Sequence, residues 1–493
     1  MDHNVKKMHI NGVWVLANSN KIREIINPAN EEIIALVTEG DEKDVKKAVK
    51  AAKIAFYEDQ TWANFSAAER GALLTKVADL IEQNVNDIAM AETLNNGKTI
   101  SESEGDVYGA ASIFRYFGGI ASTPTGSTYN LTKSLYAMTV REPIGVCGLI
   151  VPWNYPIVIA AGCIAPALAA GNTIVFKPSS ITPLSAIMLF EIIEKAGFPK
   201  GVANLVLGDG RTAGSEIASN LDIDKIVFTG GTDTGRGIMK VAAANIKNLS
   251  LELGGKSPIV VFDDADFVTA LDYVMLGAFL SQGEVCVSGS RLLLQEGIYD
   301  KFIDRLVERT KKIKVGPGIE RSSQMGALAS KSHMERVLSY IQSGIDEGAK
   351  LVCGGKRIID GDMKKGYFVE PTIFADCTGE MKIVQEEIFG PVLVVQKFKD
   401  EKEAIKIAND TVFGLAGGIF TNDINRATHV AKGIRAGNIW INTYLESLPD
   451  VPAGGYKQSG IGRIMGTYGL ESYTELKQIS INLDVKPIGV FTE

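Results

Sequence analysis

The sequence predicts an α/β protein made of two consecutive sheet-and-helix units, and three observations predict it. Short, wholly apolar runs recur between Ile144 and Asn442, most of them followed by a stretch with helical spacing. The runs are too apolar for a sheet with one wet face, so helices cover both faces, as in a parallel doubly wound sheet. The alternation restarts after Gly255, and 493 residues suffice for two or more domains.

IGVCGLIV (144–151) is the first strand of the pattern. The apolar run from Ile157 to Gly171 follows; it is too short to span a bilayer, contains Pro166 and reads as a buried helix. NTIVF (172–176) is the next strand, and Thr182-Pro183 opens a helix through Lys195, with Gly197 just past its end. VANLVLG, a short helix, KIVFTG, a helix from about Thr234 to Asn245, and LSLELGG complete the first unit. The second unit has SPIVVF as a strand, Asp264 to Ser281 as a helix, and RLLLQ as a strand. It continues through YDKFIDRLVERTKKI, PVLVVQKF, EKEAIKIAND, GLAGGIF and GNIWIN. TELKQISINL (474–483) alternates like a strand but has no partner nearby in sequence; it pairs with another subunit or forms an edge of its own domain.

Bulk properties narrow the function. Hydrophobic residues make up 45% and charged residues 22%, as in ordinary globular proteins. A net charge of −7 argues against nucleic acid or an anionic membrane as the main partner. The start, MDHNVKKMHINGVWV, has no apolar segment of the secretory kind. Five scattered cysteines without CxxC or a Cys/His cluster fit a reducing cytoplasm, free thiols and no structural metal.

No GxGxxG follows the first strand, GDGRTAG (208–214) misses that spacing by one, and no GxxxxGK[ST] occurs. FTGGTDTGRG does join a strand to a helix, with four residues between Gly230 and Gly235, and backbone amides at that helix start can hold a pyrophosphate; alone such a motif is more often just a turn. Cys286, in QGEVCVSGSR, has none of the four histidines (His3, His9, His333, His429) near it in sequence. By itself it reads as a small buried hydrophobe. Glu252 lies in apolar LELGG, where a carboxylate is rare unless paired or functional. Asn154, in PWNYP, closes a proline-rich turn or serves a site.

Seven ordered motifs take these residues together: VPWNYP (151–156), FKPS (176–179), FTGGTDTGR (228–236), LELGGKSP (251–258), GEVCVSGSR (283–291), EEIFGPV (386–392) and GGYKQSGIGR (454–463). In these the chain resembles the NAD(P)-dependent aldehyde dehydrogenase superfamily over nearly its whole length. The resemblance implies an aldehyde-dehydrogenase-like fold with a Rossmann-type dinucleotide-binding domain at 1–119 and 144–253. An α/β catalytic domain would span 254–471, and a small β oligomerisation element 120–143 and 472–493. It further implies an aldehyde substrate, NAD or NADP, and a cytoplasmic homodimer or homotetramer formed through the last strand.

Residue by residue, the resemblance makes Cys286 the nucleophile that passes through a thiohemiacetal and a thioester. Asn154 and the Cys286 backbone N–H would hold the oxyanion, and Glu252 would activate water. No histidine is required, because an ordinary thiol is a few per cent thiolate at neutral pH. Lys177, Ser180, Gly210, Gly230, Gly231, Glu387, Phe389 and Trp153 fall at the cofactor. Tyr155, Gly162, Val285, Val287, Tyr444 and Ala453 fall at the aldehyde, and YLES (444–447) is similar to betaine-aldehyde and aminoaldehyde enzymes. A CoA-acylating dehydrogenase and a non-redox thiol hydrolase are the rival activities on this fold. A catalytically dead structural or binding protein is a third class, which intact Cys286, Glu252, Asn154 and Lys177 disfavour.

The chain also departs from that pattern. Ser180 stands where many NAD-preferring members carry a glutamate that repels a 2′-phosphate, so NADP is expected to be accepted. Ile464 replaces a proton-relaying glutamate, so slow thioester hydrolysis and an NAD(P)H burst are expected. Asn95 replaces an aspartate that helps bind a structural cation, and no such ion is expected. Gly162, where betaine-aldehyde enzymes carry a tryptophan, and Ala453 leave room for a medium or bulky aldehyde.

Overall fold

IGVCGLIV forms the strand Val146–Ile150, buried at every position, and it lies at the centre of the first sheet. The structure, a computed structural model, describes residues 5–491; the expected domain spans also include 1–4 and 492–493, which lie outside the described residues. Five parallel strands occur in the chain order Val146–Ile150, Thr173–Lys177, Ala203–Leu205, Lys225–Thr229 and Asn248–Glu252. In space they run third, second, first, fourth, fifth. The order reverses between Val146–Ile150 and Lys225–Thr229, and such a reversal opens a crevice at the carboxyl ends of the two strands. Antiparallel Met8–Ile10 and Val13–Val15 extend one edge; Gly460–Ile461, from far along the chain, closes the other against Leu251 and Glu252.

The helices between these strands follow their caps. Pro156 opens the helix Pro156–Ala169, nearly all of it buried, as its apolar sequence demands. The next helix is Leu184–Ala196: Pro183 is its cap residue without a side-chain bond, and Gly197 ends it at φ 100°. Thr182 does not cap it as expected, because its hydroxyl instead donates to the Trp153 carbonyl at 3.3 Å. The helix expected from Asp264 spans only Phe267–Phe279, since the Asp266 carboxylate accepts from the Thr269 N–H and starts it later. The N-terminal third adds the helices Ala67–Gln83, Val85–Asn96 and Ile100–Ile120, which pack beneath Pro156–Ala169. Ser66 with Glu69 and Thr99 with Glu102 form reciprocal capping boxes at two of their starts.

The second sheet has seven strands in the order Lys350–Cys353, Thr372–Ala375, Val392–Phe398, Arg291–Gln295, Pro258–Val261, Ala416–Phe420, Asn438–Ile441. All are parallel except the first. Thr474–Asn482 pairs antiparallel with Leu135–Pro143, from Thr474 opposite Pro143 to Asn482 opposite Leu135. Its partner thus lies in its own chain, and its outer edge is unpaired among the described residues, with Leu476, Ile479 and Ile481 exposed. Among the described residues no helix is long and apolar enough to cross a membrane.

Candidate active site

The turns at the crevice of the first sheet face a loop of the second unit across a cavity of about 220 Å³. After Val146–Ile150 come Pro152, Trp153 and Asn154; after Lys225–Thr229 come Gly230 and Gly231; Glu252 ends the fifth strand. From the other unit come Cys286, Glu387 and Phe389, so residues up to 235 positions apart (389 − 154) line one cavity with Asn154.

The cysteine loop is built by three consecutive left-handed residues, Ser281, Gln282 and Gly283 (φ 48°, 56° and 71°). Such a run is strained for the two side-chain-bearing residues and persists only when its surroundings fix it. Here Glu102 Oε1 accepts from the Ser281 N–H at 2.7 Å, and Gln282 Oε1 accepts from the Gly326 N–H at 3.2 Å. Gly283 has no alternative, because any Cβ there would collide with the Gly390 carbonyl. That close approach draws EIFG against the loop and brings Glu387 and Phe389 to Cys286.

Asn154 is 2% exposed, and its Nδ2 donates to the Glu284 carbonyl at 2.8 Å. A carboxamide nitrogen carries two protons, so this bond aims the group and leaves a second N–H for a ligand. The backbone N–H groups of Cys286 and Val287 face the Cys286 sulfur and favour its ionised form. Burial dominates nonetheless and, with Glu387 and Glu252 nearby, pushes the thiol up to about 12. The expectation of a few per cent thiolate at neutral pH therefore fails, because the half-buried sulfur is desolvated and keeps its proton at pH 7.

Glu252 meets the need this creates. Burial pushes its carboxyl up to about 8, opposed only by the charge of Arg463, and its buried Oε1 has no hydrogen-bond partner. A carboxylate with that affinity for a proton is a workable base near neutrality. His333 is not one. It lines the same cavity, but burial pushes it down to about 4, and its Nε2–H donates to the Phe389 carbonyl at 2.7 Å. With Arg336, which donates to the Glu387 carbonyl at 3.1 Å, His333 shapes the wall opposite Trp153. Neither residue was found in the sequence; the serine three positions before His333 signals only a helix start.

The remaining expected residues divide. Phe389, at φ 63°, meets Trp153 edge to face at 5.3 Å, and Glu387 Oε1 accepts from the Gly255 N–H at 2.8 Å. Lys177 is buried, pushed down to about 8 by desolvation, and lies in the field of Asp209, Glu39 and Arg23. Ser180 lines a separate hollow of about 600 Å³ with Arg23. Gly210 starts the turn Gly210–Gly214, whose Gly214 approaches Lys177.

On the aldehyde side, Tyr155 carries the Lys98 ammonium over its ring at 3.7 Å, and that ammonium also pairs with Asp106 at 2.5 Å. Tyr444 is 1% exposed; its hydroxyl donates to the Val287 carbonyl at 2.8 Å, and its ring packs on Gly277 and Gly418. It is a wall of the core behind Val287 and not a surface of the cavity. Val285 is buried, Ala453 bridges to Ile464, and the space above Gly162 is taken by Met465.

The site accommodates a dinucleotide. Gly231 starts the helix Thr232–Ala242, the space beside its Cα is open, and the buried Thr232 hydroxyl at that helix end has no partner. The N–H groups that open this helix and a free hydroxyl at the sheet's reversal point suit a pyrophosphate, whereas the Gly230 N–H, expected at the cofactor, already donates to the Glu252 carbonyl at 3.0 Å.

The model of the aldehyde dehydrogenase family matches residues 14–479. The chain is 48% identical to betaine aldehyde dehydrogenase of Bacillus subtilis over 484 residues, 98% of each chain. It is 47% identical to an aldehyde dehydrogenase of Aspergillus niger over 477 residues, 97% of this chain and 95% of that one. A crystal structure of Staphylococcus aureus betaine aldehyde dehydrogenase in complex with NAD+ is similar at a TM-score of 0.98. It has 43% identity and covers 100% of this chain and 98% of that one.

Proposed function

Because this chain belongs to the aldehyde dehydrogenase family, we propose that it oxidises an aldehyde to a carboxylic acid with NAD+, using Cys286, Asn154 and Glu252. One observation carries the reading: a half-buried thiol, a buried free carboxylate and an aimed carboxamide share one cavity with the glycine turn at the reversal point of the sheet. Bound NAD+ supplies the acceptor for the hydride that leaves the aldehyde carbon. Gly231 and Thr232 would hold its phosphates with Gly230 shaping the turn, Glu387 its nicotinamide ribose, Phe389 and Trp153 the ring, and Lys177 with Ser180 and Gly210 the adenosine end.

The rest is done by the chain's own groups. Glu252 takes the thiol proton through a water, and the sulfur adds to the carbonyl carbon. The carbonyl electron pair moves to oxygen, where the second Asn154 Nδ2–H and the Cys286 N–H stabilise it. Loss of hydride leaves a thioester on Cys286. Once Glu252 has passed the thiol proton to solvent, it deprotonates the water that attacks the thioester, and that second proton returns to the departing sulfur as the acid is released. Asn154→Ala is expected to lower kcat by about 10²–10³-fold with little change in NAD+ affinity, because it removes one oxyanion donor. Steady-state rates with NAD+ titrations check this.

The domain division expected above (1–119 with 144–253, 254–471, 120–143 with 472–493) is supported by the three largest sheets, although Gly460–Ile461 crosses to join the first of them. The free edge of Thr474–Asn482 supports pairing with a second copy, as a homodimer or homotetramer. Five free cysteines support a cytoplasmic location.

The substrate is an uncharged aldehyde, and the room expected above Gly162 does not serve it, because Met465 fills that space. Lys98 already occupies a face of Tyr155, and Tyr444 is buried, so the two rings do not form a cage for a quaternary ammonium. Betaine aldehyde is the second reading, favoured by the names of the relatives. NADH formation on a panel of aliphatic, aromatic and trimethylammonium aldehydes tests both. A preference for the trimethylammonium aldehyde overturns the first, and no NADH with any of them overturns the oxidation itself. Ser180 sets no carboxylate against a 2′-phosphate, and Arg23, bonded to Glu39, lines the same hollow as Ser180. NADP+ is therefore expected to serve within about 100-fold of NAD+ in kcat/KM, and Ser180→Glu to cut NADP+ use by about tenfold or more while sparing NAD+. A wild-type preference for NAD+ beyond that margin refutes it.

A further inference from the structure

We propose that Met465 is the residue that sets the size of aldehyde admitted to Cys286, its thioether filling the space that a side chain at position 162 would take. The proposal rests on the aldehyde-oxidising reading above and names the part of the site that selects the substrate.

Helix Pro156–Ala169 begins two residues after Asn154, and Ile159 of this helix lines the cavity with Cys286 and Glu252. Gly162, one turn on, lies on the same face. A Cβ on Gly162 would stand 2.9 Å from the Met465 methyl carbon, so Met465 packs directly on bare helix backbone there. Residues 453–466 deliver it. Ala453 and Ile464 exchange N–H···O bonds of 2.8 Å in both directions, Arg463 lies in the field of Glu252, and a Cβ on Gly454 would lie 3.0 Å from Glu252 Oε1. One segment therefore touches the catalytic carboxylate at Gly454 and the Asn154 helix at Met465.

The backbone of Met465 supports a built role. Its φ of 60° and ψ of 171° are a conformation that essentially only glycine adopts without strain. The strain is held by the Ala453–Ile464 pair before it, the Gly466 N–H bond to Pro449 after it, and its own carbonyl, which accepts from the Gly469 N–H at 2.8 Å. A glycine at 465 would relieve the strain but leave the helix face bare. Methionine is unbranched and polarisable, so it yields to ligands of different shape and attracts apolar chains more than cations.

The test uses the full chain and the variants Met465→Ala, Met465→Gly and Met465→Leu. In kcat/KM, Met465→Ala and Met465→Gly are expected to favour an aromatic aldehyde over a two-carbon aldehyde by about tenfold relative to wild type, through KM, with Met465→Leu close to wild type. A second arm needs no turnover: Cys286 is alkylated with iodoacetamides of increasing N-substituent size and its peptide is quantified by mass spectrometry. Both small variants are expected to speed the bulky reagent about tenfold more than the small one. Equal factors for small and bulky reagents in that arm overturn the proposal, whatever the turnover data show. No NADH from the wild type with any aldehyde overturns the oxidation reading alone, because the alkylation arm still reports the opening. Thermal melts identify a variant that has not folded, and Met465→Gly, which relieves strain, is then the arm that decides.

Discussion

Cys286→Ala is expected to lower aldehyde-dependent NADH formation by about 10⁴-fold or more, and Cys286→Ser to be equally inactive. The second half is the sharper claim. The sulfur already sits where burial raises its proton affinity to about 12, and Glu252 beside it holds a proton to about 8. Proton transfer from thiol to carboxylate is thus uphill, a gap that the Cys286 and Val287 N–H groups and the sulfur's own nucleophilicity make tolerable. A serine hydroxyl in the same place starts several decades higher still, and Glu252 cannot reach it. A serine variant that retains 1% of wild-type kcat would overturn the assignment. Quenching of tryptophan fluorescence by NAD+ should persist in both variants, since Cys286 lies outside the turn at Gly230 and Gly231. The free thiol supplies a further check: iodoacetamide should react with it about tenfold faster for each unit of pH from 7 to 10, without a plateau, because the thiol remains protonated throughout that range.

Which of these features could be read from the chain depends on how far each one reaches. Strands such as Val146–Ile150 and Thr173–Lys177 were plain in the sequence, because two-sided burial writes itself as an unbroken apolar run. The helix starts at Ser66 and Thr99 carried an equally local sign, a Glu three residues on, though the expectations began only at Ile144. Cys286, Glu252 and Asn154 were legible as a set only through the spacing of seven motifs, since each alone has an ordinary structural reading. What escaped was set by contacts between distant residues. His333 and Arg336 reach the cavity because helix Lys331–Asp346 lies against EIFG. Tyr444 is hidden because Gly277 and Gly418 admit its ring to the core. The thiol departs from its ordinary proton affinity because of desolvation, which no ten-residue window records.

Glu252→Gln is expected to lower kcat by about 10²–10⁴-fold, the usual contribution of a general base, and at the same time to stabilise the fold in alkaline solution. The two effects share one cause. The carboxyl is buried, its Oε1 has no hydrogen-bond partner, and it holds its proton to about 8 where an exposed glutamate releases it near 4.5. In the wild type, kcat/KM should therefore rise tenfold per pH unit below about 8 and level off above it, as the basic form becomes populated. Stability runs the other way. Between pH 4.5 and 8 the unfolded chain has lost this proton while the folded chain keeps it, so the folded state binds more protons and its stability falls as pH rises through that window. The full loss is roughly 5 kcal/mol on this reasoning, and it is complete above pH 8. Glutamine has no proton to release, so Glu252→Gln and wild type should melt together near pH 4 and separate by several degrees at pH 9, the variant higher. With Ile464 unable to relay protons nearby, Glu252 alone drives thioester hydrolysis. Rapid mixing of the variant with aldehyde and NAD+ should then show NADH formation slowed already in the first turnover, because Glu252 also takes the thiol proton, with the thioester accumulating on Cys286. A variant that hydrolyses its thioester at the wild-type rate, or melts lower at pH 9, would show that the carboxylate at 252 is neither the base nor the strained group.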